Sequence, residues 1–255
     1  MYGKSVRMRR LFPDERRKLF SVPLDHAVSM GPIEGLEDVR RLARELVEAG
    51  ADLLITTPGA AREVAPELGP TTYLGIHGTV STSLGSRADH KVLVTTVRSA
   101  VGLGADLFSV QVNFGTPDEP DMLRSLGIAA DECRDLGVPL LCMAYVKKPG
   151  PISPDELRHA ARAAADLGAD IVKTSYPGSV EEFRRLVQTT PVPVLIGGGV
   201  RVDNEETFLS VVRAALSAGG QGICIGRNLF QRPPVGPLAR RIARELHGNP
   251  PAPQP

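Results

Sequence analysis

One local pattern recurs along this chain and restricts its fold more than any other feature: a helical segment, then glycine, then a short apolar run. Glu48-Ala-Gly50-Ala-Asp-Leu-Leu-Ile55, Gly102-Leu-Gly104-Ala-Asp-Leu-Phe-Ser109 and Asp166-Leu-Gly168-Ala-Asp-Ile-Val172 are three copies. Asp135-Leu-Gly137-Val-Pro-Leu-Leu141 and Ser217-Ala-Gly219-Gly-Gln-Gly-Ile-Cys224 are looser ones. Glycine closes a helix in the left-handed conformation that other residues resist, so each copy reads as helix end, turn and strand start. The glycines at 50, 104, 137, 168 and 219 are separated by 54, 33, 31 and 51 residues. That spacing matches strand–helix units of roughly 30 residues, with room for one further unit in each long gap.

Eight strands are predicted, at Phe20–Asp25, Asp52–Thr57, Thr72–His77, Asp106–Val112, Pro139–Val146, Asp170–Ser175, Pro193–Gly198 and Gly222–Gly226. Helical segments lie between them, including Leu36–Ala49, Pro120–Leu136, Pro154–Leu167, Val180–Gln188 and Glu205–Ala218. Ser153 before Pro154 is an N-cap serine followed by a first-turn proline. The third unit is weakest, because Ser81–Asp89 is polar and Lys91–Leu103 is only loosely helical. Alternating units with short connections predict a single closed (β/α)8 TIM barrel, an α/β fold. The domain reading is a basic helical extension over 1–19, a catalytic barrel over 20–247 and a proline-rich disordered tail over 248–255.

Lys173 lies inside the sixth predicted strand, between Ile171-Val172 and Thr174. The other lysines, Lys4, Lys18, Lys91, Lys147 and Lys148, have polar neighbours in sequence. A lysine in an apolar strand is unusual. Burial disfavours its ammonium form, so a lowered pKa is expected, and a neutral amine can form a Schiff base with a carbonyl compound. A strand-end lysine paired with a carboxylate is the plainer alternative.

Chemistry in such barrels collects at the carboxyl ends of the strands. There the chain offers Asp25-His26 after strand one, Tyr145 on strand five, Lys173 on strand six, Gly197-Gly198-Gly199 after strand seven and Gly226-Arg227 after strand eight. Glycine-rich ends of the last two strands are where phosphate sites commonly form, and Arg227 would add a charged fork. Asp25 reads equally well as a loop cap, and Tyr145 as an aromatic at the edge of the core.

Other classes find little support. The net charge is +1, so no global field favours nucleic acid or an anionic membrane, and the basic residues near the N-terminus read as a solvated amphipathic helix. No run of apolar residues is long enough to span a membrane. Aromatic residues make up 4% of the chain, which argues against base-stacking platforms. Cys133, Cys142 and Cys224 are scattered, as free thiols in a reducing cytoplasm would be. His26, His77, His90, His159 and His247 show no ligand spacing, so no metal is expected. No GxGxxG motif opens a helix, so no dinucleotide or other cofactor is expected.

Three motifs in order carry a resemblance to a known family. Val22-Pro-Leu-Asp25-His26-Ala-Val-Ser29-Met-Gly31-Pro32-Ile-Glu-Gly35, Ile171-Val-Lys173-Thr-Ser-Tyr176 and Ile225-Gly-Arg227-Asn-Leu-Phe-Gln231 resemble the first strand, Schiff-base strand and phosphate loop of the archaeal-type class I fructose-bisphosphate aldolases. Arg7-Met-Arg-Arg-Leu-Phe12 resembles their N-terminal helix. The likeness is closest to the 2-amino-3,7-dideoxy-D-threo-hept-6-ulosonate synthases and related aldolases of aminohydroxybenzoate biosynthesis. It implies a barrel that assembles into homo-oligomers. It implies Lys173 as Schiff-base nucleophile, Tyr145 and Asp25 as the proton-transfer pair, and Gly198, Gly199, Gly226 and Arg227 as the phosphate site. The substrates implied are a small phosphorylated ketone or ketose and an aldehyde such as aspartate semialdehyde. The chain departs from the family at Thr56-Thr57-Pro58-Gly59, at Gln111 where a histidine is common, and at Tyr145-Val-Lys147-Lys148-Pro-Gly-Pro151. Three alternatives stay open at this level: an acyl-transferring thiolase on a phosphorylated dione, a phospho-sugar binding barrel without covalent catalysis, and a phosphate-binding barrel isomerase without covalent chemistry.

Overall fold

The computed structural model describes residues 2–14, 17–199 and 201–248, so the predicted tail beyond Gly248 lies outside the described residues. In chain order the strands are β1 (Leu19–Pro23), β2 (Leu53–Thr56), β3 (Tyr73–His77), β4 (Thr79–Val80), β5 (Val92–Leu93), β6 (Leu107–Phe114), β7 (Leu140–Val146), β8 (Ile171–Thr174), β9 (Val194–Gly197) and β10 (Gly222–Cys224). Eight of them close a barrel in the order β1-β10-β9-β8-β7-β6-β3-β2, and every neighbouring pair is parallel. The expected TIM barrel is the observed fold.

Strand residues alternate between two cores, as the two-residue period requires. One set, with Phe20, Val22, Leu54, Phe108, Val110, Cys142, Val172 and Ile196, packs outward against the surrounding helices. The other, with Leu19, Leu53, Ile55, Leu107, Leu141, Met143, Ile171, Leu195 and Cys224, fills the barrel interior. Ile171 points inward, so the same period turns Lys173 inward one layer higher. Leu141, Met143 and Tyr145 climb the neighbouring strand in the same way, and Lys173 is in register with Met143.

The helix Tyr2–Leu11 closes the bottom of the barrel. Leu11 is buried against the interior cluster, with Met8 and Phe12 beside it. Its basic residues hold it to the barrel: Lys4 pairs with Asp170 at 2.9 Å, and Arg7 Nη1 donates to the Gly137 carbonyl at 2.9 Å. Among the described residues, no helix is long and apolar enough to cross a membrane.

The third unit differs from the regular pattern for a physical reason. Its polar stretch leaves the barrel after β3, forms a small antiparallel ribbon of β4 and β5, and returns to a helix of only six residues, Val97–Gly102. Residues of β6 pin this excursion over the barrel mouth: the Gln111 backbone N–H donates to Thr79 Oγ1 at 2.8 Å, and Asn113 Nδ2 donates to the Asp89 carbonyl at 2.6 Å. The first connection also holds a short helix, His26–Met30, that the residue pattern does not announce.

The β1–β10 seam that closes the cylinder rests on a glycine. Gly222 has φ of 148°, and a Cβ there would overlap the Leu19 carbonyl. Gly222→Ala therefore strains the backbone and forces the seam apart. We expect a loss of about 2–3 kcal/mol and a fall in melting temperature of roughly 5–10 °C, read by thermal denaturation.

Candidate active site

A cavity of about 430 Å³ opens at the carboxyl ends of the strands. All seven residues singled out from sequence line it: Asp25, Tyr145, Lys173, Gly198, Gly199, Gly226 and Arg227. They come from five strands or their following loops, so only barrel closure brings them together.

Lys173 is 5% exposed and sits at the floor of this cavity. Its Nζ lies 3.8 Å from Met143 Sδ and 5.8 Å from the centre of the Tyr145 ring. Gly197 makes room for both side chains: a Cβ there would stand 3.2 Å from Lys173 Cε and 3.3 Å from the Tyr145 hydroxyl. Gly198 is packed as closely, since a Cβ there would stand 3.3 Å from Ile225, whereas Gly199 faces open space with φ of 64°.

Asp25 occupies the N-cap position of His26–Met30, yet its side chain makes no capping hydrogen bond. The loop-cap reading fails. Its carboxylate instead turns into the site, with Oδ2 3.6 Å from His77 Nε2 and Oδ1 3.7 Å from His26 Nδ1. Oδ1 is buried with no hydrogen-bond partner in the protein. Leaving such a group unpaired is costly, and it marks a site built for something other than stability.

The electrostatics revise the expectation for the lysine. Burial pushes the Lys173 ammonium down, as the sequence suggested, but the surrounding groups Cys224, Tyr145 and Asp25 push the other way and hold it above its ordinary value. Burial raises both the Cys224 thiol and the Tyr145 phenol, which keeps them protonated near neutrality. The standing anion is therefore Asp25. Burial opposes its charge, but His77, His26 and Lys173 outweigh that and hold its carboxyl below the usual range. Lys173 and Asp25 thus form a buried cation–anion couple. The lowered pKa expected from burial alone is not what this site produces, because Cys224, Tyr145 and Asp25 enter the same dry space from other strands.

The opposite wall is organised by Asn228, which is fully buried. Its Nδ2 donates to the Gly198 carbonyl at 2.6 Å, and its Oδ1 accepts from the Val202 amide at 2.9 Å. Arg227 Nη2 donates to the Gly199 carbonyl at 3.0 Å. The two glycine loops are thereby tied into one wall that carries a guanidinium. Among the described residues, no group of three or more His, Cys, Asp or Glu is arranged to hold a metal ion.

Sequence reasoning missed three members of this neighbourhood. His77 ends β3, and its Nδ1 is 2.7 Å from Ser109 Oγ. Asn228 directly follows Arg227. Lys91, whose sequence neighbours are polar, is nevertheless buried and lines the cavity. The usable signal for His77 was its place at a strand end, the same signal that picked out Asp25 and Tyr145. Lys91 gave none, since its burial is created by an excursion with no regular period.

Buried neutral histidines make stability depend on pH. Burial lowers the pKa of His26 to about 4 and also lowers that of His77. The unfolded chain titrates these groups near pH 6.5, so below that value it binds more protons than the folded one. Their contribution is present above about pH 6.5 and is lost as pH falls toward 4. His77→Gln should flatten the fall in melting temperature across that window. An unchanged slope would show that His77 is already charged in the folded protein.

Comparison with known proteins agrees with this geometry. Residues 19–232 match the DeoC/LacD family aldolase pattern. The 2-amino-3,7-dideoxy-D-threo-hept-6-ulosonate synthase of Halobacterium salinarum is 40% identical over 249 residues, covering 97% of this chain and 92% of the relative. The 2-amino-4,5-dihydroxy-6-oxo-7-(phosphonooxy)heptanoate synthase of Streptomyces griseus is 36% identical over 251 residues, covering 97% and 92%. An archaeal fructose 1,6-bisphosphate aldolase superposes with a TM-score of 0.85 at 27% identity, over 96% of this chain and all of the other. A related structure, with TM-score 0.82 and 27% identity over 95% and 99% of the two chains, holds a carbinolamine intermediate on its catalytic lysine. The chain belongs to the DeoC/LacD aldolase family. It is an enzyme of the class I, lysine-dependent kind.

Proposed function

We propose that this aldolase joins a phosphorylated ketone to an amino-acid aldehyde through an enamine formed on Lys173. The observation that carries the reading is the buried Lys173 amine on the cavity floor, beside a phenol and a carboxylate and facing two tied glycine loops with an arginine. Gly198, Gly199, Gly226 and Arg227 hold the phosphate, which fixes the ketone over Lys173 and provides orientation. The product named for the Streptomyces relative has a ketone at carbon 6, a phosphate at carbon 7 and an amino-acid group at the other end. Aldol addition of a phosphorylated ketone to an amino-acid aldehyde gives that pattern.

Lys173 must shed a proton before it attacks, because Asp25 favours its charged form. The carbinolamine then loses water with the protonated Tyr145 phenol as donor, leaving an iminium. The iminium carries the same charge as the ammonium it replaces, so Asp25 stabilises both. The Tyr145 phenolate takes back a proton from the carbon next to the iminium, giving the enamine, which adds to the aldehyde carbon. The alkoxide formed there takes a proton from water, relayed by Asp25. Water then releases the product and restores the amine. Each positioned proton-transfer group contributes roughly 10²–10⁴ in rate.

Borohydride in the presence of dihydroxyacetone phosphate should add mass at Lys173, located by peptide mass spectrometry. Lys173→Met should lose both the adduct and about 10⁴-fold or more of turnover. An adduct on another lysine would remove the role assigned here.

Asp25→Asn has a signed consequence. Without the carboxylate, one of the three groups that oppose burial at Lys173 is gone and Cys224 and Tyr145 remain, so its pKa falls and the pH midpoint of imine trapping moves to lower pH. Turnover should meanwhile drop about 10²–10⁴-fold. A midpoint that stays put, or rises, would place the controlling anion elsewhere.

A further inference from the structure

The cavity holds a second buried cation that this chemistry leaves unused. Lys91 Nζ donates to Ser81 Oγ at 2.6 Å and to Ser29 Oγ at 3.3 Å, and both partners are neutral. It has no ion-pair partner among the described residues. An ammonium has three protons, and the two hydroxyls take two of them. The position is built: the Lys91 amide is held by Met122 Sδ at 3.4 Å, Ser81 Oγ donates to the Ala88 carbonyl at 2.5 Å, and the Asn113 bond anchors Asp89.

Its place follows from strand order. The phosphate loops follow β9 and β10, and in a ring ordered β1-β10-β9-β8-β7-β6-β3-β2 the strands facing that pair are β3 and β6. Lys91 lies on the excursion between those two facing strands. The cavity therefore has a cationic group on each side, with the Lys173 amine on β8 between them.

We infer that Lys91 is the binding site for the carboxylate of the aldehyde substrate. This rests on the aldolase reading above and adds which end of the second substrate the enzyme grips. A carboxylate fits better than a second phosphate. One ammonium and two hydroxyls balance a single negative charge, and the acids Asp25 and Asp89 both line the same cavity, where they would repel a dianion. Asp89 has a complementary use: its side chain is 60% exposed, pairs with Lys147 Nζ only at 4.0 Å, and would take the amino group of an α-amino acid.

The test compares three aldehydes with dihydroxyacetone phosphate as donor: aspartate semialdehyde, propanal and glyceraldehyde 3-phosphate. Lys91→Met should lower kcat/KM about 10–100-fold for aspartate semialdehyde, the effect of one charged hydrogen bond. Propanal should change less than about threefold, and borohydride trapping of the donor, which involves no aldehyde, should be unaffected. Equal losses on all three aldehydes would overturn the assignment, as would a loss confined to glyceraldehyde 3-phosphate. If Lys91→Met also loses the donor adduct, Ser81→Ala carries the test. It loosens the ammonium without removing it, and a several-fold loss limited to aspartate semialdehyde is expected, while unchanged discrimination would reject the proposal. A wild-type enzyme that forms no adduct with dihydroxyacetone phosphate overturns the aldolase reading itself, and that result precedes any Lys91 variant.

Discussion

Everything at the mouth of this barrel depends on an amine and a carboxylate sharing one dry space. Neither Lys173 nor Asp25 would be tolerated there alone, because burial penalises each charge. Each favours the other's charged form, together with Cys224 and Tyr145 around the lysine and His77 and His26 around the carboxylate. On the mechanism proposed above, that arrangement stands where a cation is stabilised during reaction. A carboxylate that favours ammonium also favours iminium, so the resting state and the proposed intermediate share a partner. The unpaired Oδ1 of Asp25 suits the proton exchange proposed for it, since the protein leaves that oxygen unsaturated.

The fold contributes separation as well as proximity. Inward positions alternate along each strand, so Lys173 and Tyr145 rise above the apolar layers of Ile171, Leu141 and Met143 rather than being buried beneath them. Closure then sets the remaining groups around the rim. Asn228 locks the glycine loops into one wall, and the ribbon after β3 builds the opposite one. A substrate with charge at both ends and a carbonyl in the middle matches that layout. The N-terminal helix serves the same end from below, since Leu11 seals the interior and lets the upper layers stay dry.

Much of this was legible in the residues. Gly50, Gly104, Gly137, Gly168 and Gly219 marked helix ends, and the apolar runs after them are strands of the barrel. Strand-end position picked out Asp25 and Tyr145, and isolation in an apolar run picked out Lys173. What stayed hidden had no local periodicity. Lys91 reads as a surface lysine, yet the excursion that carries it folds over the mouth and buries it. For Asp25 the sequence left a loop cap and a site residue both open, and the orientation of its side chain removes the cap.

The sequence by itself determined the repeating unit, the number of barrel strands and the identity of the nucleophile candidate. Those depend on short-range facts: glycine at helix ends, two-residue alternation and the rarity of lysine among apolar neighbours. Only the tertiary structure decided the charge on that lysine and the second cationic pole. Both arise from groups far apart in the chain that meet across a closed ring, and the field at a buried nitrogen is set by whatever stands around it in space.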